Sequence, residues 1–260
     1  MKIFILTQNE NVYLPNALAK VCRELSSDIS CIVSAPPMST HGGKIHGFLK
    51  HFRLFGLGGT AIIGYRVIKA RFKDFIAQPG MNGEFYSVKA VADFFRIPYY
   101  HVNKIKSRRF DEILEKRKSE LLISISCPQI IGERIRSRFS AGCINVHGAP
   151  LPRYRGLMPA FWVLRNGETK TAVTVHSLAD RLDNGDILRQ RRVDINSDET
   201  WDSLVQKTKS AGAEALVEAV NEIKTGRAVY RPNPDSEATY FSFPSAQDRK
   251  AFLKKNRRFF

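Results

Sequence analysis

What this 260-residue sequence has little of already limits what it can be. It holds four cysteines, Cys22, Cys31, Cys127 and Cys143, and no two stand in the CxxC spacing that a structural zinc or a dithiol redox site uses. Neither a zinc fold nor a disulfide scaffold is expected. Hydrophobic runs are short: the uncharged apolar stretch 54–65 is 12 residues with four glycines, whereas a bilayer span needs about 20. The apolar run before polar Thr7, Ile3 to Leu6, is too short for a secretory leader. The expectation is no transmembrane segment and a reduced, cytoplasmic setting. Acid is scarce as well. Against 41 Lys and Arg stand 25 Asp and Glu, a formal charge of +16, so the surface attracts phosphorylated metabolites, nucleic acid or an acidic membrane face. What is plentiful is core material, 43% hydrophobic, which excludes wholesale disorder.

Periodicity organises that material as α/β. Residues 2–6 read as a strand, 12–25 as a helix with Leu14, Leu18, Val21, Cys22 and Leu25 inward, and 29–33 as a second strand. This β-α-β opening predicts a Rossmann-like, mostly parallel sheet with helices on both faces. Helices are expected at 87–95, 110–118, 128–139, 159–165 and 200–224, and strands at 97–102, 121–126, 142–146, 172–176 and 186–193. The pattern ends near Gly226. A domain over 1–226 is therefore expected, with a basic insertion at about 36–86, followed by a C-terminal basic arm or small subdomain over 227–260.

Within the insertion, Gly56-Leu57-Gly58-Gly59-Thr60-Ala61 matches the G-x-G-x-x-A dinucleotide fingerprint, with Asp74 further on as a ribose-binding acid. A genuine fingerprint follows a buried strand, and the half-basic residues 50–55 are not one. The better reading is a glycine hinge between two amphipathic helical pieces over 48–77, with a membrane-surface or substrate-capping helix as the alternative.

Chemistry concentrates in 143–156, CINVHGAPLPRYRG. Alternate residues of a strand face one side, so Asn145 and His147 project together at its end. Such a polar pair is costly unless it is used or bonded, and it sits where an open α/β sheet binds ligands.

INVHGAPLPRYRG, the Val173-Thr174-Val175-His176 segment and Leu182-Asp183-Asn184-Gly185-Asp186-Ile187, in this order, resemble the N10-formyltetrahydrofolate-dependent formyltransferases. That family includes methionyl-tRNA, glycinamide ribonucleotide and nucleotide-sugar members. The resemblance covers 121–193 closely. It implies the formyltransferase fold with a short C-terminal extension, 10-formyltetrahydrofolate as formyl donor, no metal, and Asn145, His147 and Asp183 as the catalytic trio. The chemistry agrees, because formyl transfer to an amine develops a negative oxygen that needs donors and moves a proton that needs a base. Asp183 is singled out from Asp180 and Asp186 because Gly185 follows it in the family's D-x-G pattern. The resemblance further implies that pterin-binding backbone comes from Ile123, Ser124, Ile125 and Ser126 and from Leu178, Ala179, Asp180, Arg181 and Leu182. Arg153, Arg155 and His176 are the candidate acceptor-binding residues. Where relatives often have Ser-Leu-Leu-Pro, this chain has Ala149-Pro150-Leu151-Pro152, which leaves the path of that loop open.

The expected acceptor is the amine of a small or conjugated, anionic metabolite, with a nucleotide-linked amino sugar preferred because methionyl-tRNA enzymes typically carry a longer C-terminal domain. Methionyl-tRNA, glycinamide ribonucleotide and hydrolysis of the formyl donor are the enzymatic alternatives. A non-catalytic anion- or RNA-binding module is the alternative of another class, disfavoured by the intact trio. A homodimer stays open.

Overall fold

The computed structural model describes every residue except 38–42, 77–79 and 81–82, and for 44–46 the backbone alone. Parts of the insertion, among them Gly42 and Ala77, thus lie outside the described residues. Strand β1 (Ile3–Gln8) sits mid-sheet, pairing in parallel with β2 (Ile29–Ala35) on one edge and β4 (Leu121–Ile125) on the other. Strand β3 (Tyr99–His101) adds in parallel to β2, and β5 (Cys143–His147) to β4. Strands β7 (Lys170–Ser177) and β8 (Ile187–Asp194) finish the sheet antiparallel, giving the order β3-β2-β1-β4-β5-β7-β8.

Strands covered on both faces read as continuous apolar runs, and IFIL in β1 and LLISI in β4 do so. Their alternate residues feed two cores. Ile3 and Ile5 pack against Leu14 and Leu18 of α1 (Leu14–Leu25) and Leu216 and Val220 of α7 (Trp201–Lys224). Phe4 and Leu6 pack against Phe110 and Ile113 of α4 (Arg108–Arg117). A third core joins Leu54 and Phe55 of α2 (Lys44–Ile76), Phe161 of α6 (Pro159–Asn166), Trp201, Phe252 of α8 (Ala246–Lys254) and Phe259. Residues 227–260 contribute to this core and to a short parallel pair, β6 (Arg155–Gly156) with β9 (Tyr240–Phe241). The carbonyls of Arg258 and Phe259 accept from the Trp201 and Asp202 N–H groups, which no residue within α7 can satisfy.

One expectation is corrected and one is borne out. The 128–139 helix shrinks to α5 (Glu133–Arg136), because Gln129 is held by the preceding loop: its Oε1 accepts from Ile105 N–H and its Nε2 donates to the Asn103 carbonyl. The glycine motif lies inside α2 rather than after a strand. Helix α2 breaks at Gly56 (φ 70°, ψ −175°), a left-handed conformation that favours glycine, and Asp74 accepts from Ser87 Oγ at 2.8 Å instead of facing a ligand. Between α2 and β3, α3 (Val88–Phe94) packs with α1 in the first core.

Candidate active site

Strand register assembles the site. Asn145 and His147 stand two apart on β5, and the antiparallel ladder puts His176 of β7 directly opposite Asn145. Side chains directly opposite in such a pair meet: Asn145 Nδ2 donates to His176 Nε2 at 3.1 Å, while His176 Nδ1–H donates to the Ser177 carbonyl at 2.8 Å. That tautomer fixes the amide so that its second N–H remains available, and Asn145 is only half-buried. His147 Nε2–H donates to the Tyr154 carbonyl at 2.8 Å, leaving Nδ1 facing Asp183 Oδ2 at 3.4 Å.

Asp183 comes from the loop between β7 and β8. Its Oδ2 also accepts from Gly156 N–H at 2.9 Å, and its Oδ1 lies 3.6 Å from His176 Nε2. Asp183 adopts φ 52°, and Asn233 Nδ2 holds the turn by donating to the carbonyls of Asp183 and Gly185, both at 2.9 Å. Burial opposes charge on Asp183, but His147, His176 and the Gly156 N–H outweigh it and hold the carboxyl at about 2. Burial pushes the His147 imidazole below the usual histidine range, against the pull of Asp183. The resting pair is therefore a carboxylate beside a neutral imidazole whose Nδ1 lone pair is open. A proton arriving there is shared between ring and carboxylate.

Gly185 is required by space. A Cβ on it would stand 1.8 Å from the Ser177 carbonyl oxygen, which belongs to the backbone and has no room to move. Gly185→Ala is expected to displace the Asp183 turn and lower kcat at least about a hundredfold with little change in circular dichroism. Steady-state kinetics beside a far-ultraviolet spectrum check this, and near-native kcat contradicts the assignment.

Other sequence-derived positions fare differently. Arg155 is not an acceptor ligand: it is fully buried, and its guanidinium donates to Asn233 O (2.9 Å) and Oδ1 (2.8 Å), to Asp235 Oδ1 and to the Tyr240 hydroxyl (both 2.6 Å). Arg153 is exposed, but pairs with Glu168 at 2.5 Å and stacks on Tyr154. His176 is buried beneath Asn145, so it positions that amide rather than meeting an acceptor. Ile123, Ser124 and Ile125 have both backbone edges used by β1 and β5, which corrects their expected role as pterin donors; Ser126, at φ 55°, is the first residue past the ladder. Within the second stretch, Leu178 N–H is spent on the Cys143 carbonyl, and Ala179 O and Asp180 bind Arg136. Arg181 pairs with Asp235 at 2.8 Å, and Leu182 is exposed. The 149–151 loop is tied down by Thr174, whose Oγ1 donates to Ala149 O at 2.7 Å and accepts from Leu151 N–H at 3.2 Å.

Two residues were missed. Asn233 lies in Arg231-Pro232-Asn233-Pro234-Asp235, where an amide between two prolines could have flagged a rigid polar turn. Lys209 of α7 donates to Ser126 Oγ, and burial lowers its pKa; a lone lysine at an inward helical position was the signal. A cleft of about 360 Å³ runs past Lys209, Arg66 and Lys20.

The profile of the formyl transferase family matches residues 74–220, more than half of the chain. The methionyl-tRNA formyltransferase of Syntrophus aciditrophicus is 35% identical over 180 residues, covering 69% of this chain and 55% of that protein. The chain spans about half the length of the curated relatives it matches. In fold it resembles the N-formyltransferase from Helicobacter canadensis solved with folinic acid and dTDP-3-aminofucose (TM-score 0.57, 16% identity, 93% of this chain and 71% of that one). It also resembles the phosphoribosylglycinamide formyltransferase of Anaplasma phagocytophilum (TM-score 0.60, 16% identity, 93% and 98%).

Proposed function

This chain belongs to the formyl transferase family, and on that premise we propose that it moves a formyl group from 10-formyltetrahydrofolate to the amine of an anionic small or conjugated acceptor. A nucleotide-linked amino sugar is the first choice. The observation that carries the reading is the convergence of one amide, one imidazole and one carboxylate, drawn from β5 and from a loop beyond β7.

That donor set fits a formamide carbon. The spare Asn145 N–H donates to the formyl oxygen as it gains charge. His147 Nδ1, backed by Asp183, takes the proton that the attacking amine loses, and returns it to the folate nitrogen that leaves. One C–N bond forms as the other breaks, and the proton passes from amine to folate nitrogen. Ser126 and the residues just past it supply the first backbone groups free of the ladder, and with Ala179 to Leu182 they would grip the pterin. Nucleotide phosphates suit a chain of formal charge +16, and the fold shared with the Helicobacter canadensis enzyme supports a sugar acceptor. Steady-state assays with 10-formyltetrahydrofolate and a panel of nucleotide-linked amino sugars, glycinamide ribonucleotide and charged initiator tRNA test the acceptor. Fast turnover of tRNA alone overturns the ranking, and formate release without any amine reveals a hydrolase.

Acid should act in two stages. Because the folded pKa of His147 is depressed, the neutral ring is the form the fold holds. Its stabilising share is present above the ordinary histidine value of 6.5 and is lost as pH falls below it. kcat/KM is expected to stay level down to about pH 6.5 and to decline below it as Nδ1 fills. Asp183, depressed from 3.8 to about 2, contributes stability that is full above 3.8 and disappears as pH falls through about 2. A pH–rate profile with parallel melting curves checks both, and an acid limb centred above pH 6.5 contradicts the His147 assignment.

A further inference from the structure

The second piece of α2, residues 57–76, carries an apolar stripe on its outer side. Leu57, Tyr65, Ile68, Phe72, Phe75 and Ile76 are exposed, Ile68 by 70% and Phe75 by 88%. At 100° per residue, all six fall within about one third of the helix circumference. The opposite side is the anchored one: Ala70 is buried, Ile63 packs into the third core, and Arg66 pairs with Asp202 of α7. The stripe therefore points away from the protein, where water solvates it poorly.

Charge says what covers it. Across Lys44–Ile76 there are seven Lys and Arg against one acid, Asp74. Lys69 and Arg71 are exposed and lie about 70° and 90° to either side of the stripe's centre. Phe48 and Phe52 of the first piece are also exposed, near Lys50 and Arg53. A second copy of this face would bring two sets of like charges together. A polyphosphate chain would meet phenylalanine at the centre of the stripe instead of cations. An anionic bilayer surface answers both halves, acyl chains taking the stripe and phosphate headgroups the flanking cations.

We propose that the outward face of α2 docks this protein on an anionic phospholipid surface, with α2 lying in the plane of the interface. The inference rests on the helix alone and is independent of the catalytic reading. Flotation of the full chain with phosphatidylcholine vesicles, with and without phosphatidylglycerol, tests it. Binding is expected only with the anionic lipid, weakening as salt rises. Phe72→Ser/Phe75→Ser and, separately, Lys69→Glu/Arg71→Glu are each expected to cut binding about tenfold or more, with melting temperature and formyl transfer to a soluble acceptor unchanged. No binding to anionic vesicles, or undiminished binding by both variants, overturns the proposal. So does a solution dimer dissolved by the serine variant, or capture of tRNA, without vesicle binding.

Discussion

His147→Ala lowers kcat for formyl transfer by about two to four orders of magnitude while the fold persists, and Asn145→Ala and Asp183→Ala do the same. The magnitude follows from what each change removes. Without His147 the attacking amine has no adjacent base, and general base catalysis is worth about 10²–10⁴-fold. Loss of Asn145 removes the donor aimed at the developing oxyanion, worth about 10²–10³-fold. Asp183→Ala strips the charge that makes Nδ1 of His147, 3.4 Å away, a good proton acceptor. Because the trio acts as a unit, combining two substitutions should cost little more than the worse single one. Single-turnover rates with circular dichroism on the same samples check all three, and any variant that turns over near the native rate leaves the mechanism.

Arg155→Met is expected to be the most damaging change among the basic residues. It leaves the buried carbonyl and side-chain oxygens of Asn233 without their donors at 2.9 and 2.8 Å. Each buried acceptor left unpaired costs about 1–3 kcal/mol, so a loss on the order of 3 kcal/mol follows, or roughly 6–12 °C in melting temperature for a chain of this length. Activity falls further than stability, because Asn233 in turn holds the Asp183 turn. Arg153→Met, two positions away, is the control: an exposed pair with Glu168 contributes about 0–1 kcal/mol. Calorimetry and kcat on the two variants separate the cases, and equal effects would remove Arg155 from its role as the support of the Asp183 turn.

The contrast between these neighbouring arginines shows where the sequence is readable. Strand alternation places Asn145 and His147 on one face, and the apolar runs of β1 and β4 mark strands covered on both sides, because these patterns are local. Arg155 is decided by Asn233, Asp235 and Tyr240, some 80 residues later, and no periodicity reports a contact over that distance. The pterin role of 123–125 came from the family resemblance, and a strand's position in the sheet is not written in the strand; with β1 and β5 on its edges, β4 has no backbone there to offer. The 128–139 helix fell short because Gln129 found partners in a preceding loop. Helix α2 was legible as two pieces meeting at glycine, but its apolar residues recur on both sides, and only packing showed which side was left outward.

In the proposed reaction one carbonyl carbon is surrounded by Asn145, His147 and Asp183. The most direct test of that arrangement is a single turnover with 10-formyltetrahydrofolate and a nucleotide-linked amino sugar, following tetrahydrofolate and the formylated amine together, in wild type and in Asp183→Asn. Wild type is expected to give equal yields of the two products, and Asp183→Asn, whose amide cannot share the proton of His147, a rate at least about a hundredfold lower. Tetrahydrofolate released at the wild-type rate by Asp183→Asn would contradict that arrangement.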